Sequence, residues 1–352
     1  MTLSALGLLC ELVAIRSESG NESAIASHLE GVFSALGWEP RRSGRNVYAV
    51  LGSGAPTLLL NSHTDTVPAG EEWTRPAFSA LREGGRVYGR GANAAKGPLC
   101  AMILAAAQAY SKDAPKGRVI VAATCEEEIS GAGLSALLPE LPRPDAAVVG
   151  EPTGLAPAVA QKGLLILTIN EKGRGAHAAW GGGENAIIKA ARSVQALADI
   201  RFEKAHPLLG LPSLEVTQIE GGTRHNVIPD RCRLTLDVRT TPAYSPEDIV
   251  ELVRAKVSGE VGVRSKRLKA MDTDPAQPIV RAALAASPGA AAFGSPTVSD
   301  WVFLEGIPAV KVGPGDSRRS HTPDEYIEEA ELEAGVGFYR GLIRNYFELV
   351  KG

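Results

Sequence analysis

Four short apolar runs, Asn46 to Leu51, Thr57 to Leu60, Val119 to Ala123 and Ala146 to Val149, limit what this chain can fold into. Each is continuous, and each is β-branched or Leu-rich. A strand with one wet face alternates polar and apolar residues; an unbroken run marks a strand buried on both faces. Helical patterns lie between and before these runs, around residues 2 to 16, up to about Leu36 with Gly37 as its C-terminal cap, and from Pro98 to Tyr110. Apolar strands interleaved with helices predict an α/β domain with a mostly parallel sheet.

The pattern changes near Gln161. Strand (Leu164 to Ile169), helix (Glu184 to Leu197), two strands (Leu214 to Ile219 and Cys232 to Arg239), helix (Pro246 to Val257) and strand (Val261 to Leu268) follow in order. This βαββαβ succession is the ferredoxin-like arrangement. After Pro275 the chain returns to helix, strand and helix, with Pro308 to Val312 as another buried strand. The expected organisation is one α/β domain over 1–160 and 272–352, interrupted by a ferredoxin-like domain over 161–271.

A length of 352 residues accommodates two domains. Lys plus Arg total 37 against 40 Asp plus Glu, a net charge of -3, which gives no electrostatic reason to expect nucleic acid or an anionic membrane as partner. No apolar stretch of about eighteen residues is present to span a bilayer. Residues 3 to 15 are apolar, but they lack a basic flank and contain Glu11, so they read as an amphipathic helix rather than a signal peptide. Cys10, Cys100, Cys125 and Cys232 are scattered without a CxxC pair, which suits a reducing compartment; the cytoplasm is expected.

Open α/β sheets bind ligands at the carboxyl ends of their strands. Here Leu58-Leu59-Leu60 runs into Asn61-Ser62-His63-Thr64-Asp65, and Val119 to Ala123 runs into Glu126-Glu127-Glu128. Val148-Val149 leads to Glu151, and Val310-Lys311-Val312 leads through a Gly-Pro-Gly turn to Ser320-His321-Thr322. A lone His-x-Asp is usually a surface pair, three glutamates usually a solvated run, and Glu-Pro commonly a turn. Four such endings at one end of one sheet crowd carboxylates together, and crowded carboxylates need a cation. Imidazole and carboxylate donors without thiolate point to Zn²⁺ or a similar divalent ion of catalytic type.

These strings, in this order, resemble the zinc-dependent amidohydrolases that include acetylornithine deacetylase, succinyl-diaminopimelate desuccinylase and glutamate carboxypeptidase. The matching segments are Ser62 to Pro68, Tyr88-Gly89-Arg90-Gly91-Ala92, Lys96-Gly97, Glu127-Glu128, Gly150 to Thr153, Asn226 to Pro229 and Ser320-His321-Thr322. The resemblance covers essentially the whole chain. It implies a zinc-hydrolase domain with an inserted lid and dimerisation domain, two Zn²⁺ (or Co²⁺) per subunit, and a homodimer. By position, His63 and Glu151 would hold one metal, and Glu128 and His321 the other. Asp65 would orient His63, and Glu127 would be the general base. Two adjacent glutamates on a strand end point in different directions, so Glu128 can ligate while Glu127 faces the substrate. His177 would stabilise an oxyanion, Asn226 would assist it, and Arg239 would bind a substrate carboxylate.

One position departs. The family motif Gly-Arg-Gly-Ala-x-Asp-x-Lys-Gly carries an aspartate that bridges the metals; here Ala94 occupies its place. Without a bridging anion, two divalent ions roughly 3.5–4 Å apart repel with less compensation. Weakened or single occupancy and a large loss of activity are expected. Because every other ligand position is intact, the pattern fits a single aspartate-to-alanine change in a working enzyme better than gradual decay.

The resemblance implies hydrolysis of an N-acyl amino acid, with N2-acetylornithine first and acetyl-lysine next. Release of lysine or ornithine from a carrier protein and succinyl-diaminopimelate desuccinylation share the motifs. Two other classes compete: a metal-free binding protein of the same fold, favoured only by Ala94, and an aminopeptidase, against which the insertion argues. Among the remaining polar residues, His28 and His206 read as structural, and Arg318 and Arg319 as exposed or carboxylate-binding. Asp300 is a candidate partner for a cationic substrate amine.

Overall fold

The computed structural model describes residues 3–111 and 114–351. Two compact units divide them. One runs through Val159 and is completed by Thr273–Phe293 and the chain from Ser299 onward; the other comprises Ala160–Asp272 with Gly294–Val298.

The first unit is built on a mixed sheet whose strands run Arg41–Ser43, Asn46–Ser53, Gly117–Thr124, Thr57–His63, Ala146–Val149 and Ala309–Lys311, followed by Ala158–Gln161. The central members are parallel: Thr57–His63 lies between Gly117–Thr124 and Ala146–Val149, and Ala309–Lys311 extends the parallel set. Asn46–Ser53 is antiparallel both to Gly117–Thr124 and to Arg41–Ser43, with which it forms a hairpin turning at Gly44 (φ 61°). Thr57–His63 and Ala146–Val149 are buried at every position, which is why their sequence shows no alternation.

Helix Gly97–Ala109 packs against this sheet, and every residue from Gly97 to Ala106 is buried. A helix covered on all sides needs small residues for close approach, which accounts for its alanines. Helices Ala5–Ala14, Pro278–Ala286 and Glu329–Leu349 complete that layer, with Leu8, Leu12, Ile279, Phe338 and Leu342 in one core. Each fully buried Leu or Phe contributes about 1.5–3 kcal/mol. A small three-stranded sheet joins Leu81–Glu83 and Arg86–Tyr88 to Tyr326–Glu328, tying the Gly89–Ala92 segment to the stretch after His321.

The second unit is a four-stranded antiparallel sheet ordered Ser213–Gly221, Arg231–Thr240, Gly163–Lys172, Glu260–Leu268. Leu165, Leu167 and Ile169 alternate inward opposite Leu234, Leu236 and Val238, and helices Ala186–Ala198 and Pro246–Arg254 cover that face. Asn185 caps the first helix, and a Ser245–Asp248 capping box starts the second. Among the described residues, no helix is long and apolar enough to cross a membrane.

Candidate metal centre

The parallel strands end level with one another. His63 is in register with Thr124, Asn61 with Val149, and Val149 with Lys311. The residues that follow therefore converge at one edge. His63, Glu127 and Glu128 each offer a ligand atom, and these atoms lie within 4.8 Å of one another. His63 Nε2 is 3.7 Å from Glu151 Oε1, and His321 Nε2 is 2.7 Å from Glu128 Oε1. Thus His63, Glu127, Glu128, Glu151 and His321 form one connected cluster.

Asp65, fully buried, organises its near side. The Asp65 carbonyl lies 2.9 Å from His63 Nδ1 and its carboxylate 3.4 Å away. A carbonyl only accepts, so Nδ1 carries the proton and Nε2 faces the cluster. The same carboxylate accepts the backbone N–H groups of Glu127 (3.0 Å) and Glu128 (3.1 Å) and the Ser19 hydroxyl (2.7 Å). Buried Glu22 accepts the preceding N–H, that of Glu126, at 3.1 Å, and pairs with Arg45 at 2.7 Å. Sequence reasoning places Glu127 and Glu128 on a strand end, pointing apart. They instead occupy a turn after Thr124, where Glu126 takes a left-handed φ of 57° and both carboxylates approach His63. Three consecutive amides aimed at two buried carboxylates hold that turn.

Ala94 lies in the turn Ala92–Lys96 that leads into helix Gly97–Ala109, against strand Thr57–His63. Its position is set by Glu325, a buried residue that sequence reasoning missed. The Glu325 carboxylate accepts the N–H groups of Gly91 (3.1 Å), Asn93 (3.0 Å) and Ala94 (3.0 Å) and pairs with Arg90 at 2.8 Å. Asn93 is committed elsewhere: its amide bonds Asp316 and Ser320. The nitrogen and carboxylate donors of the cluster fit a catalytic divalent metal; position 94 contributes only a methyl group.

Crowding perturbs these groups in opposite directions. Burial pulls the His63 imidazole down, but the bond to Asp65 and the charges of Glu127, Asp65 and Glu151 outweigh it and raise its pKa well above the usual. Burial opposes ionisation of Asp65 too, yet His63, Ser19 and the Glu128 amide bring it to about 2. Burial raises Glu127 strongly and Glu151 less, with neighbouring carboxylates adding to the effect. The bond to Glu128 is the largest cause lifting His321.

Asp300 sits beneath the strand ends, held by two neighbours of its own unit. It is buried, accepting hydrogen bonds from Asn61 (3.0 Å) and Thr124 (3.0 Å), and burial lifts it to about 6. Arg318 is taken by Asp316 and Arg319 by Glu331. His28 pairs with Glu11.

In the second unit, His177 and Asn226 are neighbours. Strand Ala176–His177 pairs with Val227–Ile228, and the Ala178 N–H donates to the Asn226 carbonyl at 3.0 Å. The Ala179 N–H donates to His177 Nδ1 at 3.1 Å, so the proton sits on Nε2, the reverse of His63. Both side chains are exposed. Arg239 donates through Nε and Nη2 to Asp237 at 2.8 and 3.1 Å.

An α/β unit with acidic and imidazole groups at its strand ends, plus a ferredoxin-like unit, defines a class of hydrolase folds. Residues 59–345 match the family described as Peptidase family M20/M25/M40, and the chain belongs to that family. An acetylornithine deacetylase of Myxococcus xanthus is 32% identical over 301 residues, covering 80% of this chain and 78% of that protein. A protein of Pyrobaculum aerophilum named as a LysW-lysine/LysW-ornithine hydrolase is 32% identical over 293 residues, 82% of this chain and 81% of its own. The fold is shared with the crystal structure of an M20 family metallo-carboxypeptidase from Sulfolobus solfataricus, at TM-score 0.78 and 21% identity over 99% of this chain and 100% of that one.

Proposed function

We propose that this chain carries the site of a metal-dependent amidohydrolase for N-acyl amino acids, N2-acetylornithine before acetyl-lysine, and that Ala94 leaves that activity impaired. The connected cluster of His63, Glu127, Glu128, Glu151 and His321 carries this reading.

In it, His63 and Glu151 would hold one cation, and Glu128 and His321 the other. Bound Zn²⁺ or Co²⁺ polarises an amide carbonyl and lowers the pKa of water. Asp65 keeps the His63 Nδ1 proton in place, so Nε2 is the nitrogen that would meet a cation. Glu127, raised by its crowded setting, takes a proton from the attacking water and delivers it to the leaving nitrogen. His177, protonated on Nε2, donates to the developing oxyanion, worth about 2.7–4 kcal/mol in the transition state. Asn226 assists beside it, and Arg239, steadied by Asp237, binds the substrate carboxylate. The reading includes a homodimer formed through the ferredoxin-like unit, in which His177 serves the partner's site, and a reducing cytoplasm in keeping with four free cysteines.

A second reading, release of lysine or ornithine from a carrier protein, draws on the name of the Pyrobaculum relative. A panel of acetylornithine, acetyl-lysine, succinyl-diaminopimelate and lysine amide-linked to a carrier, assayed with zinc or cobalt on the Ala94→Asp chain, separates the two. Tight zinc binding with restored hydrolysis in that chain would reject a metal-free binding protein of the same fold.

A further inference from the structure

Lys311 ends the strand Ala309–Lys311 and is only 3% exposed. Strand pairing fixes its direction. Asn61, Val149 and Lys311 are opposite one another across three parallel strands, so their side chains share one face of the sheet. His63 lies two residues beyond Asn61, on that same face, and Glu151 follows two residues beyond Val149. The row therefore delivers the Lys311 side chain to the base of the carboxylate cluster; burial acts on it most and lowers its pKa, with Glu151 and then Glu127 opposing that. The mechanism above assigns this cation no part.

A buried ammonium is costly unless opposite charge compensates it, and adjacent buried carboxylates are costly unless a cation does. Here each offsets the other. We propose that Lys311 is the resident counter-cation of the site: it neutralises Glu151 and Glu127 in the metal-free protein and thereby weakens zinc binding by the His63–Glu151 half. This rests on the metal-centre reading above. With Ala94 in place of a carboxylate the cluster has one fewer negative charge to share, so the same ammonium offsets a larger fraction of what remains.

The test compares the full chain with its Lys311→Met variant, near in size and uncharged, after chelation and dialysis. Calorimetric zinc titration is expected to show binding tighter by about tenfold or more, and thermal unfolding without metal a lower melting temperature, which zinc restores. Lys311→Arg, which keeps the charge, is expected to bind zinc like the parent. Should Lys311→Met fold only when zinc is present, the counter-cation role is supported, and Lys311→Gln supplies the affinity comparison. Unchanged or weaker zinc binding by a Lys311→Met chain with parental circular dichroism overturns the proposal. If neither parent nor variants take up zinc, the metal-centre reading fails. The metal-free melting temperature then decides Lys311 separately, and an equal or higher value for Lys311→Met rejects its role.

Discussion

His321 and Glu128 are 193 residues apart in sequence, yet their side chains meet at 2.7 Å, His321 Nε2 against Glu128 Oε1. The two come from different pieces of the same unit, one from the turn after Gly117–Thr124 and one from the loop after Ala309–Lys311. Their bond closes the far side of a cluster whose near side is held by His63 and Asp65.

Restoring a carboxylate at position 94 completes the donor set on a turn already fixed by Glu325. The Ala94→Asp chain is expected to bind about two zinc ions where the parent holds fewer, and to hydrolyse acetylornithine about a hundredfold faster or more. Metal analysis after gel filtration and a coupled deacetylation assay measure the two effects. Unchanged zinc content would argue against a bridging role for that position.

Removing the general base leaves the ligands in place. In the Ala94→Asp background, Glu127→Gln is expected to lower kcat by about 10²–10⁴ while zinc content stays the same. A variant that keeps its turnover would transfer the proton-carrying role to another group.

Asp65 touches His63 and the backbone of both glutamates without joining the metal-ligand set. Asp65→Asn is therefore expected to weaken zinc binding by about 10–100-fold, read by competition with a fluorescent chelator. Equal affinity in the variant would reduce Asp65 to a purely structural group.

Arg90 and Glu325 are 3% and 1% exposed, and their pairing also secures three backbone amides. Glu325→Ala would strand a buried guanidinium, so a loss of about 3–5 kcal/mol is expected in urea unfolding. A loss below about 1 kcal/mol, the range of exposed pairs, would contradict the geometry.

Lys96 is fully buried, donating to the carbonyls of Leu12 (2.9 Å) and Ile15 (3.1 Å), and burial lowers its pKa from 10.5 to about 8. Between these values the unfolded chain carries a proton that the folded chain lacks, so this residue's contribution to stability rises with pH across that window. Below about 8 both states are protonated and the contribution is constant. The stability of the parent relative to Lys96→Met is expected to increase from pH 8 towards 10.5, approaching a tenfold gain in folding ratio per unit. Denaturant midpoints across that range measure it, and a flat difference would contradict the shift.

The sheet and the ferredoxin-like unit are legible because burial leaves a mark in the sequence: unbroken apolar runs at Thr57 to Leu60 and Ala146–Val149, alternation at Arg231–Thr240. The imidazoles and acids at strand ends were legible as a set because the topology of an open sheet brings such ends together. Glu22, Glu325 and Lys311 were not, since a charged residue gives no sequence sign that it is buried; each is recognised only once its partners, far away in sequence, are in place. Glu127 and Glu128 differ for another reason: alternation carried past Thr124 sets them on opposite faces, whereas the positive φ at Glu126 reverses the chain there. Asp300 looked available to ligand because its bonds to Asn61 and Thr124 are 239 and 176 residues long-range.

Strand Ala309–Lys311 lies between Ala146–Val149 and Ala158–Gln161 in the sheet, although some hundred and fifty residues separate it from either. During synthesis, the earlier strands leave the ribosome with an open seam in the middle of their own sheet. The ferredoxin-like unit, nearly contiguous and with its own core, emerges before the strand that fills the seam. Nascent chains thus pass through a stage with an unpaired apolar strand edge, the kind of surface that recruits chaperones or wrong neighbours.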